Sequence, residues 1–307
     1  MKLSISRDEL HKALYVTQSI VERKTTMPIL SNVILSTADG QLKIASTDLE
    51  ITAVTQVVAD VKVNGSTTVN AKVLSDIVRE LSSGMVELSL SDGERLEVTA
   101  HNTKVKIIGV SAEEFPSLPG IQIEIPNRIS TDQFLEMVSK TLYAVSTDET
   151  RFNLNGVCFE MDKKKSMLNM VATDGHRLAL IKRPVEGFDF EGSVIVPRKG
   201  LAEIKKVLDN EDESEVGIAI TEGFFLLQSS DTKISMRLID GEFPDYQQVL
   251  PKDKGVIAST NGTELSQALK RVALMVTDKA KCVKLDFAPE TLRISSSSPE
   301  LGEANEE

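Results

Sequence analysis

Three stretches of the chain repeat one arrangement of apolar and polar positions. Residues 5–22 (ISRDELHKALYVTQSIVE), 129–148 (ISTDQFLEMVSKTLYAVSTD) and 259–278 (STNGTELSQALKRVALMVTD) each carry Ser, Thr, Asp or Asn near their start. Apolar side chains then fall at i, i+3 and i+4: Leu10, Ala13 and Leu14; Phe134, Met137 and Val138; Leu265, Ala268 and Leu269. This spacing predicts a capped amphipathic helix in each stretch. Leu10 lies 124 residues before Phe134, and Phe134 lies 131 before Leu265. A pattern recurring at a near-constant period marks an internal repeat.

Other landmarks keep the same period. VNAKVLSDIVREL (69–81) aligns with VPRKGLAEIKKVL (196–208), each reading as a strand end running into a helix. In the first, Val73, Leu74, Ile77, Val78 and Leu81 form the expected apolar face, with Lys72 and Arg79 outside it. EEFPSLPG (113–120) recurs as GEFPDYQQVLP (241–251), closing each unit with Pro-rich loop chemistry. Between them lie short β-rich runs such as LKIAST, VELSL, LEVTA and ISMRLI, punctuated by ADG, SDG and IDG turns. Each unit therefore reads helix, strands, helix, strands, an α+β design of two helices packed on antiparallel sheets. The expected domains are 1–125, 126–252 and 253–307. The third is expected to be incomplete, because the sequence stops 42 residues after Leu265 (307 − 265).

Composition narrows the class. Hydrophobic residues make up 41% and charged residues 26%, ordinary for a globular protein. No apolar run is long enough to span a membrane, and MKLSISRDEL has no apolar signal region. Cys158 and Cys282 are far apart and in no CxxC pattern, which suits a reducing cytoplasm. His11, His101 and His176 are scattered, so no metal site or cofactor is expected. The net charge of −11, taken alone, argues against nucleic acid. Its distribution argues otherwise: PRKGLAEIKK (197–206) sets Arg198, Lys199, Lys205 and Lys206 against Glu203, and the acidic LDNEDESE follows it.

The stretch that most resembles chemistry is VATDGHRLAL (171–180), where Asp174, His176 and Arg177 lie close together. Its counterpart in the first unit is IASTDLEITAV (44–54), which keeps the pair Thr47 and Asp48 and lacks the histidine. The shared part reads as a strand–turn–strand in which Asp stabilises the turn through its own backbone. An enzyme using Asp174 and His176 is the rival reading, but spacing supplies neither nucleophile nor pocket. No GxxxxGK[ST], GxGxxG, GxSxG or HExxH is present.

The set MPIL (27–30), TDLE (47–50), NLNGVCFE (153–160), ATDGHRLA (172–179), VIVPRKG (194–200) and DGEFPDYQQVLP (240–251) resembles the bacterial DNA polymerase III beta subunit family, the sliding clamps. The resemblance spans the chain in order. It implies a two-subunit ring of three similar domains per subunit, with helices lining the hole and sheets outside. It implies no catalysis by this chain. Its partners would be double-stranded DNA held without sequence preference, and a replicative polymerase and clamp loader docking through short peptide motifs. Family DNA-contact positions map onto Lys24, Lys72, Asp148, Phe152 and Asn153, and Arg198 and Lys199 fall on an inward helix by the same analogy. Lys72 and Lys199 are expected to act through charge alone, with little part in stability. The family's peptide pocket maps onto Leu154, Thr173, Gly175, His176, Arg177, Leu178, Pro244, Val249 and Leu250. The subunit boundary maps onto Lys104, Val105 and Ile107, facing Leu274, Met275 and the strand near Glu300 and Glu303. With its third domain short, the chain is expected to touch DNA without closing a ring. The second rival is a repeat scaffold that binds proteins and does not encircle DNA.

Overall fold

A computed structural model describes residues 1–21, 26–91, 94–185, 190, 192–209, 213–221, 223–253, 255–277 and 282–307. It divides into two compact units, Met1–Pro244 and Asp245–Glu307. The first repeat opens with β1 (Lys2–Ser6), α1 (Arg7–Ile20), β2 (Asn32–Ala38), β3 (Gln41–Thr47), β4 (Ile51–Val58) and β5 (Asp60–Val63). It continues with β6 (Ser66–Asn70), α2 (Ala71–Glu80), β7 (Met85–Ser91), β8 (Arg95–Ala100) and β9 (Thr103–Val110). The second opens with β10 (Asn127–Ser130), α3 (Thr131–Ser139), β11 (Gly156–Asp162), β12 (Met167–Thr173) and β13 (Leu178–Pro184). It continues with β14 (Ser193–Pro197), α4 (Arg198–Leu208), β15 (Glu215–Thr221), β16 (Phe224–Gln228) and β17 (Thr232–Arg237). The other unit holds α5 (Gly262–Val272), β18 (Lys284–Ala288), β19 (Thr291–Ser298) and β20 (Gly302–Glu306).

Four helices begin on the residue after a strand ends: α1 after β1, α2 after β6, α3 after β10 and α4 after β14. Side-chain caps ease three helix starts. Asn70 accepts from the Val73 N–H at 3.0 Å, Ser130 from Gln133 at 3.4 Å, and Asn261 from Thr263 and Glu264 at 2.9 and 3.2 Å. The predicted stripes on α1 and α3 are buried in full. On α2 the stripe is Ala71, Leu74, Ser75 and Val78, while Val73 points to solvent. At 100° per residue Val73 cannot share a face with both Leu74 and Val78, and the small Ala71 and Ser75 let the helix lie close to its neighbours.

All helix-packed strands of the first unit are antiparallel. One sheet runs β10-β15-β16-β17-β4-β3-β2-β6-β9-β8-β7-β1-β5 and a second runs β13-β12-β11-β14. The long sheet passes from one repeat to the other at β4 and β17, with Ile51 opposite Met236 and Thr55 opposite Thr232. Val16, Ile20, Ile51 and Ala53 of the first repeat join the core of the second, which centres on Phe134, Phe159 and Phe225. Phe225 stacks on Phe134 at 6.3 Å and meets Phe159 edge-on at 5.5 Å. Helix α1 packs against α2 and α4, and α4 against α3, so the four helices form a row. In the other unit α5 buries Ala268 and Val272 against Ile294, with Leu265 and Leu269 half-buried. There Ser296 donates to the Val272 carbonyl at 2.7 Å, and Arg271 pairs with Glu306.

Removing Phe225 opens a cavity between two aromatic partners. Phe225→Ala is expected to cost about 3–5 kcal/mol. Denaturant titration followed by far-UV circular dichroism should show the unfolding midpoint of the first unit displaced downward, and an unchanged midpoint would refute the role given to the trio.

Candidate nucleic-acid and partner interfaces

The turn between β12 and β13 is built by its own side chains. The Thr173 hydroxyl donates to the Arg177 carbonyl at 2.7 Å and accepts from the Gly175 N–H at 3.1 Å. Asp174 Oδ1 accepts from the N–H groups of His176 and Arg177, both at 3.0 Å, and Oδ2 accepts from Arg177 Nε at 2.9 Å. The two N–H groups, His176 first, outweigh the opposing partial desolvation and, with the Arg177 guanidinium, hold the Asp174 carboxyl down to about 2. Asp174 holds the His176 backbone, and no bond joins it to the imidazole among the described residues. A carboxylate so acidic and so fully engaged is a poor proton carrier at neutral pH. Gly175 takes φ +88°, and a Cβ there would meet Arg151 Nη1 at 2.8 Å. The positive φ favours glycine here, while the Arg151 tip is the end of a flexible side chain that can move aside.

The first repeat contains the same turn. Thr47 donates to the Ile51 carbonyl at 2.9 Å and accepts from Leu49 N–H at 3.0 Å. Asp48 Oδ1 accepts from Glu50 and Ile51 N–H at 3.0 and 2.6 Å, and Leu49 stands at φ 77° where Gly175 stands in the second. The difference is the cation. Asp48 Oδ2 accepts from Lys199 Nζ at 2.6 Å, reaching across from α4 of the second repeat. The Asp48 side chain is 4% exposed and that of Lys199 46%. Lys199 thus does more than add charge: it neutralises a buried carboxylate and ties the two repeats. The expectation that it matters little for stability is corrected.

Among the peptide-pocket positions, Leu154 is buried, Thr173 and Leu178 are half-buried, and Gly175, His176, Arg177 and Pro244 are exposed. Arg177 lies over the Tyr143 ring at 5.7 Å. Leu178 and Tyr143 line a cleft of about 470 Å³ along β13 with Ile181, Lys140 and Arg183. Glu136 is salt-bridged to both Lys140 and Arg183, and these cations, Lys140 first, hold its carboxyl below the usual carboxylate range. Pairing of β13 is to β12 alone among the described residues. Val249, exposed, and Leu250, half-buried, belong to the other unit.

Among the DNA-contact positions, Lys24 lies outside the described residues. Asp148 is committed to its own loop: Oδ1 accepts from the Thr150 hydroxyl and N–H at 2.6 and 3.0 Å, and Oδ2 from Arg151 at 3.2 Å. These bonds, the Thr150 hydroxyl first, keep it ionised. Phe152 is 58% exposed. Asn153 Nδ2 donates to the Glu242 carbonyl at 3.1 Å. The Arg198 N–H donates to the Asn155 carbonyl at 3.1 Å, which sets the start of α4 beside the Phe152–Leu154 turn. Lys72 stands apart from these on the first turn of α2, paired with Asp76 at 3.2 Å.

The subunit-boundary positions Lys104, Val105 and Ile107 sit on β9. That strand pairs with β8 along Thr103–Ile108 and with β6 only at Gly109 and Val110. The opposite edge of 103–108 has no strand partner among the described residues. A Cβ on Gly109 would meet the Glu94 carbonyl at 2.5 Å and the Thr68 carbonyl at 2.8 Å, so the handover between neighbours requires glycine. Glu97 takes Lys104 at 2.6 Å and Lys106 at 3.6 Å, and the Lys104 bond chiefly holds its carboxyl below the usual carboxylate range. Ile108, 79% exposed on the same strand, escaped the sequence reading. Leu274 and Met275 form a single turn after α5 in the other unit. No group of His, Cys, Asp and Glu that could hold a metal is present among the described residues.

Comparison with known proteins gives one answer along the whole chain. The family model for the DNA polymerase III beta subunit N-terminal domain matches residues 1–119, that for its central domain residues 128–245, and that for its C-terminal domain residues 247–307. The beta sliding clamp of Caulobacter vibrioides is 35% identical over 312 residues, covering 100% of this chain and 84% of the relative. The C. crescentus beta sliding clamp structure, with PEG bound to a putative beta-motif tethering region, aligns at TM-score 0.91 and 34% identity, covering 100% of this chain and 83% of that one. The sliding clamp from Bartonella birtlesii bound to griselimycin aligns at TM-score 0.91 and 31% identity with the same coverage.

Two outcomes follow from these turns. Lys199→Glu strands the buried Asp48 carboxylate and is expected to destabilise the chain by about 1–3 kcal/mol; Arg198→Glu, one position away, should leave thermal melting unmoved. Equal melting temperatures for the two variants would sink the tie. For Asp174 the folded value, about 2, lies below the unfolded value of about 3.9. Its stabilisation is therefore complete above pH 4 or so and is lost as pH falls toward 2. Carboxyl-carbon NMR should find its midpoint near 2, and a midpoint near 4 would refute the bonding described.

Proposed function

The chain belongs to the DNA polymerase III beta subunit family, and from that premise we infer that it is a processivity clamp for the replicative polymerase. It holds duplex DNA without reading sequence and docks partner proteins through short peptides. It is an accessory subunit, and nucleotidyl transfer belongs to the polymerase. The observation that carries this reading is the match of three successive family models, in order, across the chain. The row α2, α1, α4, α3 supports it physically. Helix α4 alone presents Arg198, Lys199, Lys205 and Lys206 against one carboxylate, Glu203, which is itself buried. Contacts from such side chains to phosphates are electrostatic and sequence-independent.

Within this reading Lys72, Phe152, Asn153 and Arg198 contact DNA, with Asp148 shaping the loop that presents Phe152. An exposed aromatic ring beside a basic helix start suits an unpaired base. Leu154, Thr173, Gly175, His176, Arg177, Leu178 and Pro244 of the first unit receive the peptide, and Val249 and Leu250 of the other unit carry the same family assignment. Leu and Phe anchors of a short motif would meet apolar walls, and the rigid Thr173–Arg177 turn would fix orientation. Lys104, Val105 and Ile107 on the open edge of β9, and Leu274 and Met275, serve subunit pairing into a ring. An unpaired strand edge is a template for a second chain. A cytoplasmic setting agrees with the reduced cysteines Cys158 and Cys282, and no described helix is long and apolar enough to cross a membrane.

The test is primer extension on a circular single-stranded template with polymerase and clamp loader. Added chain should lengthen products made in one binding event. Leu178→Asp should abolish that gain while leaving retention on nicked circular DNA intact. A chain that binds the polymerase peptide yet never lengthens products would favour the protein-binding scaffold instead.

A further inference from the structure

The stretch between β9 and β10, SAEEFPSLPGIQIEIP (111–126), forms no strand, yet its sequence is patterned. Pro116, Pro119 and Pro126 give up backbone donors and favour extended chain before them. Ile121, Ile123 and Ile125 alternate with Gln122 and Glu124; the three isoleucines are half-buried and the two polar residues exposed. Such alternation lays one side of an extended chain on a surface and leaves the other in water. The surface is the sheet of the second repeat. A Cβ on Gly120, which takes φ +77°, would meet Ser235 Oγ of β17 at 2.0 Å and Phe224 Cδ1 of β16 at 3.4 Å. A Cβ on Gly217 of β15 would meet Ile125 Cγ2 at 2.9 Å. The chain thus leaves the first repeat, comes down on β17 and reaches β15 by way of β16.

Lys233 fastens it. From β17 its ammonium donates to the Ile121 carbonyl at 2.6 Å and to the Ile123 carbonyl. The Ile123 N–H in turn donates to the Gly120 carbonyl at 3.2 Å. Partial burial holds the Lys233 ammonium below the usual lysine range, against the opposing pull of Glu124. Lys233 and Ser235 also stand opposite Val54 and Thr52 in the joint between repeats. The linker is therefore pinned to the strand by which the second repeat holds the first.

We propose that residues 111–126 are a releasable strap that limits bending at the β4–β17 joint, with Lys233 as its fastening. While it is fastened, the free tether between the repeats is 111–119. Once it is released, the tether extends to Pro126, and the repeats gain slack about the joint. One ammonium and three half-buried isoleucines hold the strap, and among the described residues no strand ladder does. A segment held by so few contacts opens locally, without either repeat unfolding. The proposal concerns the first unit alone and stands whether or not the chain acts as a clamp.

The experiment is amide hydrogen exchange of the full chain, read by NMR at neutral pH. Two amides span the joint: Gln56 N–H, bonded to the Asp231 carbonyl, and Arg237 N–H, bonded to the Glu50 carbonyl. Two others report on each repeat alone: Leu90 N–H, bonded to the Met1 carbonyl, and Val185 N–H, bonded to the Ser166 carbonyl. Lys233→Met keeps the aliphatic stem and removes the donors. It should quicken exchange at both joint amides by about tenfold to a hundredfold, the range for losing hydrogen bonds from a charged group. Leu90 and Val185 should keep the parent rates. If Lys233→Met fails to fold, Gly120→Ala decides: its methyl against Ser235 lifts the strap with Lys233 intact, and the same two amides should quicken. Faster exchange at Ile123 alone, with Gln56 and Arg237 at parent rates, would reduce the linker to surface packing and overturn the proposal. Equal acceleration at all four amides would mean general destabilisation and overturn it as well.

Discussion

Everything in the first unit depends on five antiparallel pairs, Ile51–Thr55 against Thr232–Met236. Without them β4 would be an open edge, with its N–H and C=O groups unmet. With them the two repeats share one sheet, and α1 lies against α4. The register is held at both ends and in between. Gln56 N–H donates to the Asp231 carbonyl at 2.8 Å and Arg237 N–H to the Glu50 carbonyl at 2.8 Å. The buried hydroxyls of Thr55 and Thr232 meet at 3.1 Å. A slip of one residue would turn Ile51, Ala53, Ile234 and Met236 out of the core, so hydrophobic pattern and hydrogen bonds enforce the same alignment.

The Thr–Asp turn shows how one local device serves two ends. In both repeats the same side chains bond the same backbone groups, and both turns place their third residue at positive φ. Asp174 then keeps its second oxygen for Arg177 within the turn, whereas Asp48 gives its second oxygen to Lys199 across the joint. A histidine beside an aspartate looks like a dyad in sequence. In the folded chain the aspartate is already spent on the backbone, and what remains at the surface is a rigid, basic, partly apolar edge.

Much of this was legible without coordinates, and the rest was hidden for definite reasons. The helices and the repeat period follow from spacing, because a helix repeats every 3.6 residues whatever it packs against. Of the three expected caps Ser130 and Asn261 form, whereas Ser6 at the start of α1 makes no side-chain cap bond. The shared turn was readable from TDLE and TDGHRL, since its bonds span at most four residues. Strand order was not readable: β4 meets β17 across nearly the full length of two repeats, and no local pattern records such a partner. Lys199 was misjudged for the same reason, its aspartate lying 151 positions away. Val73 was misplaced by a one-residue error in helical phase, small in sequence and decisive for burial. Ile108 passed unnoticed because an exposed isoleucine on a strand looks like a core residue until its sheet face is known.

The acidic total and a basic task are compatible because of where the charges sit. Lys72 and Arg79 share Asp76 within α2, and in α4 Lys205 has Asp209 and Lys206 has Glu203. Cations so answered by nearby carboxylates present a muted field to their surroundings. In the clamp reading proposed above, a phosphate approaching Lys72 or Lys205 would exchange one weak, exposed partnership for another, with little net gain at any one position. Such contacts are salt-labile and interchangeable along the duplex. A tight, fully desolvated basic groove would bind more strongly and stop. For a protein whose task is to stay on DNA while moving along it, residence has to come from assembly around the duplex, and the helix face needs only to keep the duplex from settling in one place.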